Sequence, residues 1–416
     1  MITIPPSDSL LPQRHSLSNG RTLYAFPTGS TDLVKIDFLR EAGSIYQRQR
    51  LAAAAACRLA TVAGGGMDAA RLSEFLDFRG IIVENSNTVF QTTTSFWTLA
   101  RHIDSLLPVL DGLVHEPAFP EGEFDVYRRR KKQEIMASQQ KSSDMARRLF
   151  YESLFGTAHP LGRYAMPDDA DRLDLEVVRR HYKDRCGIGD ATIVLSGHVD
   201  DRLFLAVDDR FGHDTPAGLP VLQLPEAPAQ RPAHRQVDIP SSVQTSLRVG
   251  RLLPLAWDDP DYARLMVLVT MLGGYFGSRL MSNLREDKGY TYGIYARTQL
   301  YRGAIVFYIT ADVAADVADD AEKQIVCELQ RLVDESAPDD ELDMVRTVLA
   351  GDFLRSVDGI FERSSRFCDM LGTAVTERLT DNLREALADV TAVDLQHIAA
   401  RFLAPEDMTF CRAGRL

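Results

Sequence analysis

The sequence consists of two halves that resemble each other, and this repeat limits the possible folds more than any other feature. Residues 173–197 (LDLEVVRRHYKDRCGIGDATIVLSG) align with residues 390–414 (VTAVDLQHIAARFLAPEDMTFCRAG) at a constant shift of 217 residues. A second match joins residues 70–80 (ARLSEFLDFRG) with residues 278–289 (SRLMSNLREDKG), allowing one inserted residue. Matches of this length at corresponding places predict two copies of one domain.

Each half combines strand patterns with helix patterns. Residues 33–39 (LVKIDFL) alternate apolar and polar side chains, which is typical of a half-buried strand, and helical patterns follow at residues 51–63 and 68–78. The sequence therefore predicts an α+β fold with two similar domains, each a mostly antiparallel sheet with helices packed on one face. We place the domains at residues 1–215 and 241–416, joined by a proline-rich linker at residues 216–240.

Bulk properties narrow the class of protein. A length of 416 residues is too great for one compact core, and a net charge of −12 argues against a nucleic-acid-binding protein. The longest apolar run, near residues 265–276, is too short and too rich in glycine to cross a bilayer, so we expect no membrane association. The first twenty residues lack the pattern of a signal peptide.

The cysteines also bear on the compartment. They are odd in number, lie far apart and form no C-x-x-C pair, so neither a disulfide framework nor a zinc knuckle is predicted. The five cysteines are Cys57, Cys186, Cys327, Cys368 and Cys411. Together with the N-terminal sequence, this pattern predicts a cytoplasmic protein.

The stretch at residues 272–296 (LGGYFGSRLMSNLREDKGYTYGIYA) has the clearest local pattern. Phe276, Leu280 and Leu284 recur every four residues, which predicts one apolar face of a helix. Gly289 follows where a helix needs a left-handed residue to end, and the aromatic and β-branched residues after it predict a strand.

Two polar side chains flank that turn. Arg285 lies in the last turn of the predicted helix, and Tyr292 lies seven residues later, just inside the strand. A tight helix–glycine–strand connection can bring both side chains to one edge of a sheet. Ordinary explanations remain open from the spacing alone, because an arginine at a helix C-terminus interacts with the helix dipole and a strand tyrosine is commonly part of the core.

The whole stretch resembles the signature of the pitrilysin/insulinase family of zinc peptidases (inverzincins). In that family an Arg and a Tyr with this spacing, after Gly-Gly and S-R-L, reach the substrate in the active-site chamber. The resemblance implies that Arg285 and Tyr292 contact substrate, and that Gly273 and Gly274 bind it through close backbone approach; a bend at the helix end explains the two glycines equally well. The resemblance extends over nearly the whole chain and includes the internal duplication.

The zinc motif of that family is missing. The family carries H-x-x-E-H on a helix of the first domain, which corresponds here to residues 51–66 (LAAAAACRLATVAGGG). No histidine or glutamate lies between Gln47 and Glu74, and no two histidines of the chain stand three to five residues apart. The position of the third ligand resembles Glu134, with Tyr127 where an acidic residue is common. Because catalytic zinc needs three protein ligands, Glu134 is either a remnant or an ordinary solvent-facing helix residue.

These expectations lead to one main functional hypothesis. The chain is predicted to hold no cofactor and to be a pseudo-peptidase alone, acting as the non-catalytic subunit of a heterodimer or larger complex with an HxxEH-containing, zinc-bearing family subunit. Arg285 would donate to a carbonyl of the peptide substrate and Tyr292 to the developing oxyanion. Two alternatives remain: a structural or assembly subunit with no share in catalysis, and a homodimeric peptide-binding module.

Overall fold

The computed structural model describes residues 3–228 and 231–415, and strands within these residues form two sheets. The first sheet contains β1 (Gln13–Ser16), β2 (Thr22–Pro27), β3 (Leu33–Arg40), β4 (Ile82–Asn87), β5 (Thr92–Leu99) and β6 (Thr192–Gly197). The second sheet contains β7 (His234–Asp238), β8 (Gln244–Leu253), β9 (Thr291–Tyr301), β10 (Ala304–Ala314) and β11 (Thr409–Gly414).

The two sheets have the same topology. The strand order is β1-β2-β6-β3-β5-β4 in the first sheet and β7-β11-β8-β10-β9 in the second. When β2 to β6 are matched with β7 to β11, the orders are identical, and β1 is an additional edge strand. Each sheet contains one parallel pair, β2 with β6 and β7 with β11, and its other neighbours are antiparallel. The predicted duplicated, mostly antiparallel α+β fold is confirmed.

Helices surround both sheets. The first half contains α1 (Ala52–Leu59), α2 (Ala69–Arg79), α3 (Ile103–His115), α4 (Glu121–Gln139), α5 (Ser142–Phe155), α6 (Pro167–Arg172), α7 (Leu175–Arg185) and α8 (Asp201–Phe211). The second half contains α9 (Pro260–Gly273), α10 (Ala318–Asp334), α11 (Asp339–Arg355), α12 (Ile360–Thr373), α13 (Arg378–Asp389) and α14 (Ala392–Phe402). None of the helices in the described ranges is both long and apolar enough to cross a membrane.

Each half contributes one helix, called the exchanged helix below, that packs on the sheet of the other half. Helix α5 of the first half packs on β11 and β8 of the second sheet, where its apolar face meets Val306 and Cys411. Helix α12 of the second half packs on β6 and β2 of the first sheet, where Phe367 contacts Phe26 and Val194. Each sheet is thus covered on one face by helices of its own half and on the other by a helix of the opposite half, a feature beyond the prediction of helices on one face.

Strand β7 lies inside residues 216–240, the segment predicted to be a linker. It forms the parallel partner of β11, so the second sheet begins before residue 241. The sequence signal was weak because β7 is short, polar and mostly exposed. Upstream of β7, the segment is attached to the first half by His159, whose Nε2 donates to the carbonyl of Pro225 (3.0 Å). The remaining domain bounds are still predictions.

Candidate functional site

The helix predicted over Phe276–Leu284 begins after Phe276, and most of it is a π-helix instead of an α-helix. Helix α9 ends at Gly273, a turn follows, and a π-helix occupies Met281–Asp287. Its widened hydrogen bonding is visible where the N–H of Lys288 donates to the carbonyl of Asn283, five residues earlier (3.1 Å). Gly289 then takes the left-handed conformation (φ 64°) that the sequence predicted for the turn.

The strand after this turn begins with a β-bulge. Thr291 pairs with Val313 and Ile294 with Ala311, so Tyr292 and Gly293 together face the single residue Asp312. The hydroxyl of Thr291 donates to the carbonyl of Asp312 (2.8 Å) and accepts from the N–H of Gly293 (3.1 Å). Strand β9 is the edge of its sheet, and the bulge directs Tyr292 outward, leaving its side chain 86% exposed.

Arg285 and Tyr292 lie in contact, as the predicted helix–turn–strand connection allows. The guanidinium carbon of Arg285 lies 4.8 Å from the centre of the Tyr292 ring. The same carbon lies 4.6 Å from the centre of the Phe276 ring. The contact is between cation and ring face, so the hydroxyl of Tyr292 stays available to a ligand. Within the described residues, neither the hydroxyl nor the guanidinium has an ion-pair or hydrogen-bond partner.

Gly273 and Gly274 are both required by packing within the chain. A Cβ atom on Gly273 would lie 2.5 Å from the backbone nitrogen of Ala296 in β9. A Cβ atom on Gly274 would lie 2.5 Å from Cα of Thr270 in α9. The absence of a side chain at Gly273 lets the end of α9 lie close to the strand that carries Tyr292. A direct role of the two glycines in binding substrate stays a prediction.

The position of the family's zinc site lies where α1 meets α4, and its residues do not fit zinc. Cys57 of α1 is buried, and burial raises the pKa of its thiol to about 11, so the thiol is protonated at neutral pH. Tyr127 of α4 points its hydroxyl into this region without a hydrogen-bond partner, and burial raises its pKa. In the chain as described, no group of three or more His, Cys, Asp or Glu side chains could hold a metal ion.

Glu134, the residue at the third-ligand position, is an ion-paired side chain on the surface of α4. It pairs with Arg130 (3.0 Å) and Lys131 (3.0 Å) and is about half exposed. Burial alone would raise the pKa of Glu134, but the hydrogen bonds and charges of Lys131 and Arg130 lower it. This arrangement is that of a solvent-facing helix residue, the second of the two explanations derived from the sequence.

Comparison with known proteins supports this description. Residues 172–349 match the family model described as the peptidase M16 inactive domain. An uncharacterised zinc protease of Streptomyces coelicolor is 24% identical over 311 residues, which cover 72% of this chain and 68% of that protein. A probable inactive metalloprotease of Bacillus subtilis is 20% identical over 228 residues, which cover 55% of this chain and 53% of that protein.

A solved structure shows that the likeness extends over both halves. The crystal structure of a peptidase M16 inactive domain from Pseudomonas fluorescens superposes with a TM-score of 0.85 at 20% sequence identity, covering 97% of this chain and 98% of that one. The M16 peptidases are the pitrilysin/insulinase family, so the resemblance found in the sequence is confirmed. Residues 172–349 thus match the peptidase M16 inactive domain, and the chain as a whole has the fold of the solved M16 inactive domain and lacks an H-x-x-E-H motif.

Proposed function

We propose that this chain is the non-catalytic subunit of a heteromeric M16 zinc peptidase, in which a second family subunit carries H-x-x-E-H and the zinc ion. The observation that carries the proposal is the contact between Arg285 and Tyr292 at an exposed sheet edge. A chain that had only to fold would gain a cation–π contact from this pair, but it would have no use for a phenol hydroxyl and guanidinium N–H groups that lack partners of their own among the described residues. The pair is explained if both groups act on a molecule outside the chain.

The two side chains can perform complementary tasks on a peptide. The guanidinium of Arg285 can donate to a substrate carbonyl, since its five N–H donors have no carboxylate partner among the described residues. The phenol of Tyr292 can donate to the oxygen on which negative charge develops during attack on the scissile carbonyl. Neither task requires a metal ion on this chain; the partner would provide zinc and the general base.

Strand β9 offers a way to hold the peptide next to this pair. Among the described residues it pairs with β10 alone, so part of its other edge is open to a further strand. The N–H of Ile294 is already used, because it donates to Sδ of Met281 (3.4 Å). An extended peptide can add to such an edge by main-chain hydrogen bonds. The peptide would then run past Tyr292 at one end of the strand.

We also propose that the complex works in the cytoplasm. All five cysteines are free in the structure, two of them without being fully buried: Cys327 is exposed and Cys368 is half-buried. Free thiols at several sites are typical of proteins kept in a reducing compartment.

The test is reconstitution with the HxxEH-containing family subunit of the same genome, assayed on a quenched-fluorescence peptide. Tyr292→Phe removes one hydroxyl at the surface, so folding and assembly should be unchanged while kcat falls on the order of ten- to a thousand-fold, the range for one oxyanion donor. Arg285→Ala should lower kcat/KM, with a higher KM if the guanidinium also holds the ground state.

Tyr295→Phe is the matched control, because Tyr295 is another exposed tyrosine of β9 and its ring lies beside Arg297 (5.7 Å) instead of Arg285. It should leave kcat and KM unchanged. The alternative, a structural or assembly subunit, predicts that Arg285→Ala and Tyr292→Phe both assemble and keep full peptidase activity. That result would refute a shared active site.

A further inference from the structure

Phe276 lies at the surface, although its spacing predicted the buried face of a helix. It follows Gly274 in the turn after α9, and 57% of its surface is exposed. Leu280 and Leu284, the other members of the predicted apolar face, are fully buried. The ring of Phe276 is instead covered by the guanidinium of Arg285, at 4.6 Å from its centre. An exposed aromatic ring is stabilised by a cation over its face.

Aromatic rings, and not charges, hold Arg285 in place. Its guanidinium lies over two rings, those of Phe276 and Tyr292, at closely similar distances of 4.6 and 4.8 Å. The acidic residues next to it, Glu286 and Asp287, are exposed and make no ion pair with it in the described part of the chain. A ring contact uses the face of the planar guanidinium, whereas an ion pair would occupy its N–H groups. The N–H donors therefore stay available to a ligand.

Both rings are mounted on segments that packing holds firmly. Phe276 lies directly after Tyr275, whose partly buried side chain packs against the core of the second half. Tyr292 lies in the bulge that Thr291 fixes through its hydrogen bond to Asp312. A long arginine side chain has many rotamers, and binding a ligand with it loses that freedom unless the side chain is already held.

We propose that Phe276 is a positioning residue, which holds the guanidinium of Arg285 beside Tyr292 with its N–H donors free for a substrate carbonyl. The inference rests on the proposed function, because it assigns to Phe276 the preorganisation of one of the two substrate-contacting groups. It predicts that an aromatic ring is needed at position 276, and that apolar bulk alone is insufficient.

The first measurement uses the isolated chain and no partner. Ring currents shift the side-chain Nε–Hε signal of an arginine that lies over aromatic faces, and the signal of Arg285 is identified by its disappearance in Arg285→Lys. In Phe276→Ala and Phe276→Leu this signal should move toward the position of free arginine, whereas Phe276→Trp should keep it shifted. Phe78→Ala is the control: it removes an exposed ring that lies beside a different arginine, Arg79 (5.7 Å), so the Arg285 signal should be unchanged.

The second measurement is a double-mutant cycle in the reconstituted complex, with the same quenched-fluorescence peptide. Phe276→Ala should lower kcat/KM by roughly two- to thirty-fold, the factor that corresponds to one cation–π contact, mainly through KM. Phe276→Trp should restore most of the loss. In the Arg285→Ala background, Phe276→Ala should have no further effect, because a positioning residue acts only through the group that it positions.

The outcomes separate this inference from the function on which it rests. An unmoved Arg285 signal in Phe276→Ala, or a Phe276→Ala loss that is equally large without Arg285, overturns the positioning role while the shared active site stands. If the signal moves but Arg285→Ala keeps full activity, the proposed function is overturned. Phe276 then holds Arg285 in place without any consequence for substrate binding, so the inference fails as well. A moved signal, rescue by tryptophan and a non-additive cycle together support the inference.

Discussion

At the scale of single residues, His181 makes folding stability depend on pH. It lies buried on α7, and its Nε2 donates to the carbonyl of Ala42 (2.9 Å). Burial lowers the pKa of His181 because the charged imidazolium is disfavoured away from water, and the hydrogen bond to Ala42 only partly opposes this. Below the unfolded pKa of about 6.5, the unfolded chain binds a proton that the folded chain does not. Stability from this residue is therefore lost as pH falls through about 6.5 toward the lower folded pKa.

The prediction is that His181→Gln reduces the loss of melting temperature between about pH 7 and pH 5.5. Glutamine can still donate to Ala42 but does not titrate. His397→Gln is the control, because it makes the same substitution at an exposed histidine. The pKa of His115 changes in the opposite direction: burial works to lower it, but Asp214 and Asp111 raise it. Because His115 and His181 shift the pH dependence of stability in opposite senses, the effect of His181 is read from the difference between variant and wild type. Equal pH slopes in wild type and His181→Gln would contradict the argument.

At the scale of elements, the segment from α9 to β9 shows where sequence patterns succeed. The left-handed turn at Gly289 and the strand after it follow from residue type, because few residues other than glycine adopt that backbone conformation. The pair Arg285 and Tyr292 came together because a short turn leaves little freedom. The position of Phe276 could not be predicted, because periodicity describes a regular helix and does not reveal that the chain first makes a turn. Which ring a guanidinium covers is a tertiary contact with no local signal.

The close packing of α9 on β9 gives a prediction for Gly273. A methyl group at this position would meet the backbone of Ala296, so Gly273→Ala should lower the free energy of unfolding by about 1–3 kcal/mol, as overpacking does. Gly122→Ala is the matched control: Gly122 lies in α4 with open space around its Cα, and alanine there should raise stability by about 0.4–1 kcal/mol. Urea unfolding measures both. A Gly273→Ala variant as stable as wild type would return the glycine to its other predicted role, substrate approach.

At the scale of the whole molecule, the duplication could be predicted from the sequence, but the packing of one helix from each half on the opposite sheet could not. Two segments of similar sequence predict two similar domains, and the identical strand orders confirm this. An amphipathic helix, however, carries no information on which sheet its apolar face will cover. Helices α5 and α12 each cover the sheet of the opposite half, and the buried hydroxyls of Ser196 and Ser364 meet at 2.6 Å where α12 lies on β6. The halves therefore depend on each other for part of their cores.

A partly buried ion pair also links the halves. Arg302 lies in the turn between β9 and β10 of the second half, and its two terminal nitrogens donate to the carboxylate oxygens of Glu41 in the first half, at 2.7 and 2.6 Å. The Arg302 side chain is only 6% exposed and also donates to the carbonyl of Gly372 at the end of α12 (2.9 Å). The Arg302 side chain thus joins the β9–β10 turn to the residue after β3 and to the end of helix α12.

Removing this cation should weaken the joint between the halves. Arg302→Ala leaves the carboxylate of Glu41, which is 29% exposed, without its counter-charge; because Glu41 keeps some solvent, the cost should be about 2–3 kcal/mol, below that of a fully buried pair. The control Arg202→Ala breaks a pair on the surface, in which the side chain of Arg202 is 76% exposed and that of Asp104 is 70% exposed. Its loss should cost at most about 1 kcal/mol. Urea unfolding, followed by fluorescence and by circular dichroism, compares the two.

If the halves hold together mainly through this joint and the exchanged helices, the Arg302→Ala transition should also broaden, because the halves then unfold less cooperatively. Equal losses in Arg302→Ala and Arg202→Ala would show instead that this ion pair adds no more to stability than an exposed surface pair.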